Sequence, residues 1–291
     1  MRAASARVVL MLTALWVAAP LAQEDTARIY VTVVDKSGKP MRGLTAADFS
    51  VAENDVVKTV ISVEPATEPL SVALLVDRFG QDANYGVITV RAAIAAMIKP
   101  LLASHPETEV SITTIDPAAV PQIAFTNTPM RFTNFINHVV TGVEQSVVLN
   151  GVEMAAQSMR DAKHRRRAIM AIFAGYKVDA SSGDGTRLAD VLRNSSASLW
   201  TLEGRSSFSS PAIAPIRDQA LYMAVPISGG MASTVSAGAG IENQARRLSD
   251  ALVAQYVVTY GVPSVSSNKR TVAVSRKDAK VAAPVWIART P

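Results

Sequence analysis

The stretch "LSVALLVD", residues 70–77, decides the fold. It is an apolar run ending in Asp77, the form of a strand covered on both faces, and "RFGQDAN" (78–84) follows as a loop where that strand would meet solvent. "GVITVRAAIAAMIKPLLAS" then places Val87, Val90, Ile94, Met97, Ile98 and Leu101 at helical spacing. Downstream, "EVSITTID" and "PQIAFT" predict short strands, "RFTNFINHVVTGV" and "LNGVEMAAQSMRDAK" helices, and "AIMAIFAG" a second fully apolar strand. "TRLADVLRNSS", "ASLWTLEG" and "IENQARRLSDALVA" predict helix, strand and amphipathic helix, and "QYVVTYGVP", "KRTVAVSRK" and "APVWIAR" close the chain with strand character. Such alternation argues for an α/β fold, a doubly wound, mostly parallel sheet with helices on both faces. Its working surface lies outside the carboxyl ends of the central strands, where Asp77 and Gly175 fall.

Upstream, "IYVTVV" is strand-like, "DKSGKP" a turn, "LTAADF" one helical turn capped by Thr45, and "SVAEN" and "KTVISVEP" a pair of strands. Pro65 and Pro69 mark a boundary, so a small β-rich module is expected over 23–68 and the main domain over 69–291. Residues 1–22 read as a signal peptide: Arg2 and Arg7 form a positive start, "VVLMLTALWVAA" an apolar centre, and "APLAQ" a cleavage region. The expectation is a protein exported to the periplasm or beyond the cell, with no membrane span in the mature chain. The chain has no cysteine, which removes thiol catalysis, cysteine-ligated zinc and disulfides.

The formal net charge is +5 over 291 residues, and only "KHRRR" (163–167) approaches a basic cluster; it reads as a solvated turn before a strand, and no nucleic-acid partner is expected. His105, His138 and His164 fall on separate segments with no metal-like spacing and read as surface or boundary residues. Neither a G-x-S-x-G elbow nor an H-E-x-x-H pair occurs, so no enzymatic activity is expected. "EGRSSFSSPAIAP" (203–215) reads as a flexible loop, and "PISGGMASTVSAGAG" (226–240) as a loop before the last long helix.

"VTVVDKSGKPMRGLTAADFSVAENDVVKTV" followed by "PLSVALLVD", together with the ending "ARRLSDALVAQYVVTYGVP", resembles the VWFA-related domain first described from acidobacteria. That family joins a β lead to a von Willebrand factor A domain, a Rossmann-like fold. The resemblance implies a metal-ion-dependent adhesion site at the top of the sheet, made by Asp-x-Ser-x-Ser, a threonine and a further aspartate. Carried over residue by residue, Asp77 matches the first aspartate, and Phe79 and Gln81 stand at the serine positions. Ser146 stands where the threonine belongs, and Gly175 replaces the last aspartate. One carboxylate and one hydroxyl, Asp77 and Ser146, remain as remnant candidates, too few for magnesium, which surrenders water reluctantly. No cofactor is therefore expected; the alternative is a rearranged magnesium or calcium site drawing on Asp82, Asp179 or Asp184.

The expected function is non-enzymatic binding of a protein partner by the top face: Asp77, Arg78, Phe79, Gln81, Ser146 and Tyr176, brought together by the fold. Arg78 and Phe79 would serve as exposed anchors there, being residue types enriched at binding hot spots. Metal-dependent adhesion, or a structural role in a cell-envelope assembly, are the alternatives.

Overall fold

The computed structural model describes residues 26–79, 86–182, 185–205, 213–236, 238–261 and 269–286. The predicted signal peptide, Gln81, Asp82 and Asp184 lie outside them. The chain opens with strands β1 (Thr26–Val34), β2 (Phe49–Glu53), β3 (Val56–Lys58) and β4 (Val60–Pro65). It continues through β5 (Leu70–Val76), α1 (Val87–Ser104), β6 (Glu109–Ile115), β7 (Ala119–Thr126), α2 (Pro129–His138) and β8 (Gln145–Ser146). Next come α3 (Val148–Ser158), β9 (Arg166–Ala174), β10 (Val178–Asp179), α4 (Gly185–Ser195), β11 (Ala197–Gly204) and α5 (Pro215–Ile227). It closes with β12 (Ala232–Val235), α6 (Gly238–Val253), β13 (Tyr256–Gly261), β14 (Arg270–Val274) and β15 (Lys280–Ala282).

The main sheet runs β12-β11-β9-β5-β6-β7, parallel throughout except for the antiparallel pair β6–β7. The chain winds outward from β5 to β6 and β7, then returns to build β9, β11 and β12 on the other side. The order therefore reverses between β5 and β9, which is where open α/β sheets place their crevice. Every residue of β5 is buried, because Leu70, Val72, Leu74 and Val76 face α1 and α6 while Ala73 and Leu75 face α3 and its neighbours. A strand packed on both sides has no solvent face to alternate for, hence the unbroken apolar run.

α1 spans 18 residues and is apolar enough to cross a membrane by length and composition. Its Val90, Ile94, Met97 and Leu101 instead enter the core beside α6. It ends at His105, which precedes Pro106 and takes extended backbone as a residue before proline prefers.

A second layer forms where β15-β1-β13-β4 pair antiparallel, and β14-β2-β3 pack against them around Phe49, Val51, Tyr256, Val258 and Tyr260. Its strands come from both ends of the chain: Thr26 pairs with Gly261 and Val34 with Lys280. Residues 26–65 thus supply β1–β4 of this layer, and β13–β15 arrive from the far end.

Several sequence expectations are corrected here. Helix α2 stops at His138, five residues short of the expected end at Val143. The loop expected over 226–240 contains the end of α5, the edge strand β12, paired among the described residues with β11 alone, and the start of α6. α5 escaped notice because its buried face, Arg217, Ala220, Leu221, Ala224 and Val225, is largely small and begins with an arginine. The "KHRRR" cluster is not a solvated turn: His164 and Arg166 are buried. The Arg166 guanidinium donates to the carbonyls of Leu252 and Val253 at the end of α6 and to those of Ala66 and Glu68. Burial lowers its pKa to about 10. It ties the β layer to the main sheet.

Candidate functional site

Asp77 follows β5 directly and sits at the point where the strand order reverses, its amide donating to the Ile172 carbonyl of β9 at 2.9 Å. One carboxylate oxygen accepts from the Ala174 amide at 3.1 Å. The other receives the Lys177 ammonium at 2.5 Å, and the same ammonium donates to the Arg78 carbonyl at 2.9 Å. Both side chains are fully excluded from solvent, at 0% exposure. Burial pushes the Asp77 carboxyl up to about 6, while the Lys177 charge and hydrogen bond and the Ala174 amide pull it down. Lys177 had no place among the expected site residues. The signal for it was a cation two residues past Gly175, directly after an apolar strand in "AIFAGYKVD".

The turn carrying Lys177 is held from below. Arg217 of α5, itself buried, reaches the carbonyls of Ala174, Gly175 and Lys177 at 3.3–3.5 Å. Its guanidinium lies 4.9 Å above the Phe173 ring and pairs with Asp218 at 2.8 Å. At Gly175 any Cβ would stand 2.3 Å from a Glu203 carboxylate oxygen, so an aspartate there would press one anion on another.

Arg78 and Asp116 form the next shell. Asp116 Oδ1 accepts from the Arg78 amide and from Nε, each at 3.1 Å, and Nη2 donates to the Asp116 carbonyl at 2.9 Å. The Arg78 side chain keeps 27% exposure, and Asp116 none. The segment after α2 crosses over them at Gly142, whose amide donates to the Phe79 carbonyl at 3.2 Å. A Cβ at 142 would lie 1.9 Å from the Arg78 carbonyl and 2.0 Å from Asp116 Oδ2, so only glycine allows this approach. A cavity of about 140 Å³ opens beside Arg78, lined also by Thr114, Gln122, Phe135, His138 and Val140.

The other expected residues separate. Phe79 is 1% exposed and belongs to the main core, so it is no exposed anchor. Tyr176 is half-buried against the same core. Ser146 is buried in β8, which pairs parallel with β10 so that Ser146 stands opposite Asp179. Its hydroxyl finds no hydrogen-bond partner among the described residues. Asp179 does not swing toward Asp77. Its two oxygens accept from the Val148 and Ser181 amides at 3.0 and 2.9 Å, while the Ser181 hydroxyl accepts from the Leu149 and Asn150 amides. The β10 loop therefore caps the start of α3 with side chains from 31–32 residues downstream, a substitute for a local N-cap.

These residues do not fit a divalent cation. Asp77 has an ammonium on one oxygen and an amide on the other, Phe79 offers carbon, and Asp179 is committed to backbone amides. Hard cations need several converging oxygens, and among the described residues no group of three or more His, Asp or Glu side chains is placed to hold one.

No protein-family model and no curated protein matches the chain. Solved structures do resemble it. The SpRpn10 VWA domain is 13% identical with a TM-score of 0.47, covering 62% of this chain and 97% of its own. A von Willebrand factor type A protein from Catenulispora acidiphila is 9% identical with a TM-score of 0.47, covering 91% and 75% respectively. Proximal thread matrix protein 1 from the mussel byssus, with a zinc-occupied MIDAS motif, is 10% identical with a TM-score of 0.47, covering 68% and 49%. At these identities the likenesses concern overall architecture, and the doubly wound α/β assignment rests on the strand order itself.

Proposed function

We propose that this chain is an exported, non-enzymatic protein-binding module, similar in fold to von Willebrand factor A domains, that engages its partner without a bridging metal. The observation that carries this reading is the Lys177 ammonium seated on Asp77 at 2.5 Å with both side chains at 0% exposure. A fixed monovalent cation already neutralises the carboxylate that a divalent ion would need. Binding then falls to side chains around the crevice: Arg78, Gln122, His138 and Val140 line the cavity there. Of these, Gln122, His138 and Val140 are exposed, Val140 at 57%.

Titration calorimetry with magnesium and with calcium, each at millimolar concentration, tests the metal half: the expected result is no heat and no shift in Tm, and saturable heat overturns it. Crosslinking of the mature protein in its native envelope tests the binding half. A discrete adduct is expected that disappears in the His138→Glu, Val140→Glu double variant, and an unchanged adduct moves the binding surface elsewhere.

A further inference from the structure

The chain's positive charge is gathered at one end of the β layer, and it does not belong to the crevice. The turn after β1 and the turn between β14 and β15 come together there, because Val34 pairs with Lys280. The Lys36 ammonium meets Asp278 at 2.6 Å. The Ser275 amide donates to the Asp48 carbonyl at 2.8 Å, Arg276 pairs with Asp48 at 2.8 Å, and Arg247 of α6 reaches the Ser37 carbonyl at 3.2 Å. Seven exposed cations result: Lys36, Lys39, Arg42, Arg247, Arg276, Lys277 and Lys280. Three carboxylates, Asp35, Asp48 and Asp278, stand among them, and Asp250 lies one turn along α6 from Arg247, leaving an excess of three positive charges.

Those three carboxylates are engaged within the cluster. Asp35 accepts from the Ser37 hydroxyl and from the Ser37 and Lys39 amides, which hold its pKa below the ordinary value. Asp48 is held by Thr45 and Arg276 and is lowered likewise. Asp278 is taken by Lys36. Lys39, Arg42, Lys277 and Lys280 form no ion pair among the described residues, and all are exposed.

We propose that this end of the β layer is a docking surface for an anionic phospholipid bilayer. Five of the cations stand on turns between strands, Lys280 opens β15 and Arg247 lies on α6, so they are spread over three elements and suit a plane of many phosphates better than one shaped anion. Four of the seven are lysines, point charges on flexible stems that adapt to mobile headgroups. None of the seven alternates with an exposed aromatic of the kind single-stranded nucleic acid stacks on. Each cation held near such a surface contributes about 1 kcal/mol, so four unpaired ones suffice for measurable partition at low salt. The inference stands apart from the metal-free reading of the crevice.

The test is co-sedimentation of the mature chain with vesicles of phosphatidylcholine alone and of phosphatidylcholine mixed with phosphatidylglycerol, at low and high salt. Binding is expected only to the mixed vesicles, and it should weaken with salt. Stepwise Lys39→Gln, Arg42→Gln, Lys277→Gln and Lys280→Gln should each lower affinity about fivefold, with Tm unchanged because all four side chains are exposed. Equal partition to both vesicle types, or no loss in the quadruple variant, overturns the proposal. So does capture on immobilised polyglutamate with no vesicle binding, which would assign the surface to an acidic polypeptide.

Discussion

At the sheet's switch point Asp77 and Lys177 meet directly at 2.5 Å, whereas in the β layer Glu53 and Arg270 stand 3.8 Å apart and are joined through a phenol. The Tyr260 hydroxyl donates to Glu53 at 2.6 Å and accepts from Arg270 Nε at 2.6 Å. Arg270 also reaches the carbonyls of Pro284 and Trp286 at 3.3 and 3.1 Å. Burial, reinforced by the Glu53 hydrogen bond, holds the Tyr260 phenol above its ordinary value against the pull of Arg270. Both clusters join segments remote in sequence, but they depend differently on their members. The relayed cluster spreads its charge over a hydroxyl and several carbonyls. The direct pair concentrates it, so losing one member leaves a full charge in a sealed site.

Breaking the direct pair is therefore expected to have the largest effect. Lys177→Met should cost about 3–5 kcal/mol in denaturant unfolding, the range for stranding one half of a buried ion pair. Adding Asp77→Val should recover most of that loss, since removing both charges from an apolar site is often neutral or stabilising. A Lys177→Met cost no greater than that of a cluster member in the β layer would erase the contrast. Tyr260→Phe comes next, at about 1–3 kcal/mol for leaving buried polar groups short of a partner. Ser146→Ala should be smallest, within about 0.5 kcal/mol of wild type or slightly stabilising, because the hydroxyl it removes has no partner to lose. A cost near that of Tyr260→Phe would mean that the Ser146 hydroxyl is engaged after all.

The sheet was legible because its strands carry their own signature. "LSVALLVD" and "AIMAIFAG" lack any alternation, which only burial on both faces explains, and each ends where the crevice forms. α5 and β12 were not legible, since a small-residue helix face and a four-residue edge strand leave weak periodicity. The candidate site was half legible. Asp77 was placed at the strand end, where the Ala174 amide donates to it, but Lys177 was not foreseen there. Phe79 was misplaced, because position alone does not say whether a side chain turns outward from a loop or back into the core.

Three of the strongest anchors are basic residues, of which the sequence singled out only Arg166, as part of a solvated turn. Arg166, Lys177 and Arg217 are each buried, and each finds its partners among carbonyls or a carboxylate from other elements. By itself the sequence determined the alternation of strands and helices, the two-sided burial of the central strands and the carboxylate at the strand end. Those are local properties, written in hydrophobic period and in the residue that stops an apolar run. Only the tertiary structure decided that a lysine 100 positions away would sit on that carboxylate. A buried charge is tolerable only where its counter-charge arrives, and the arrival depends on two loops meeting across the sheet.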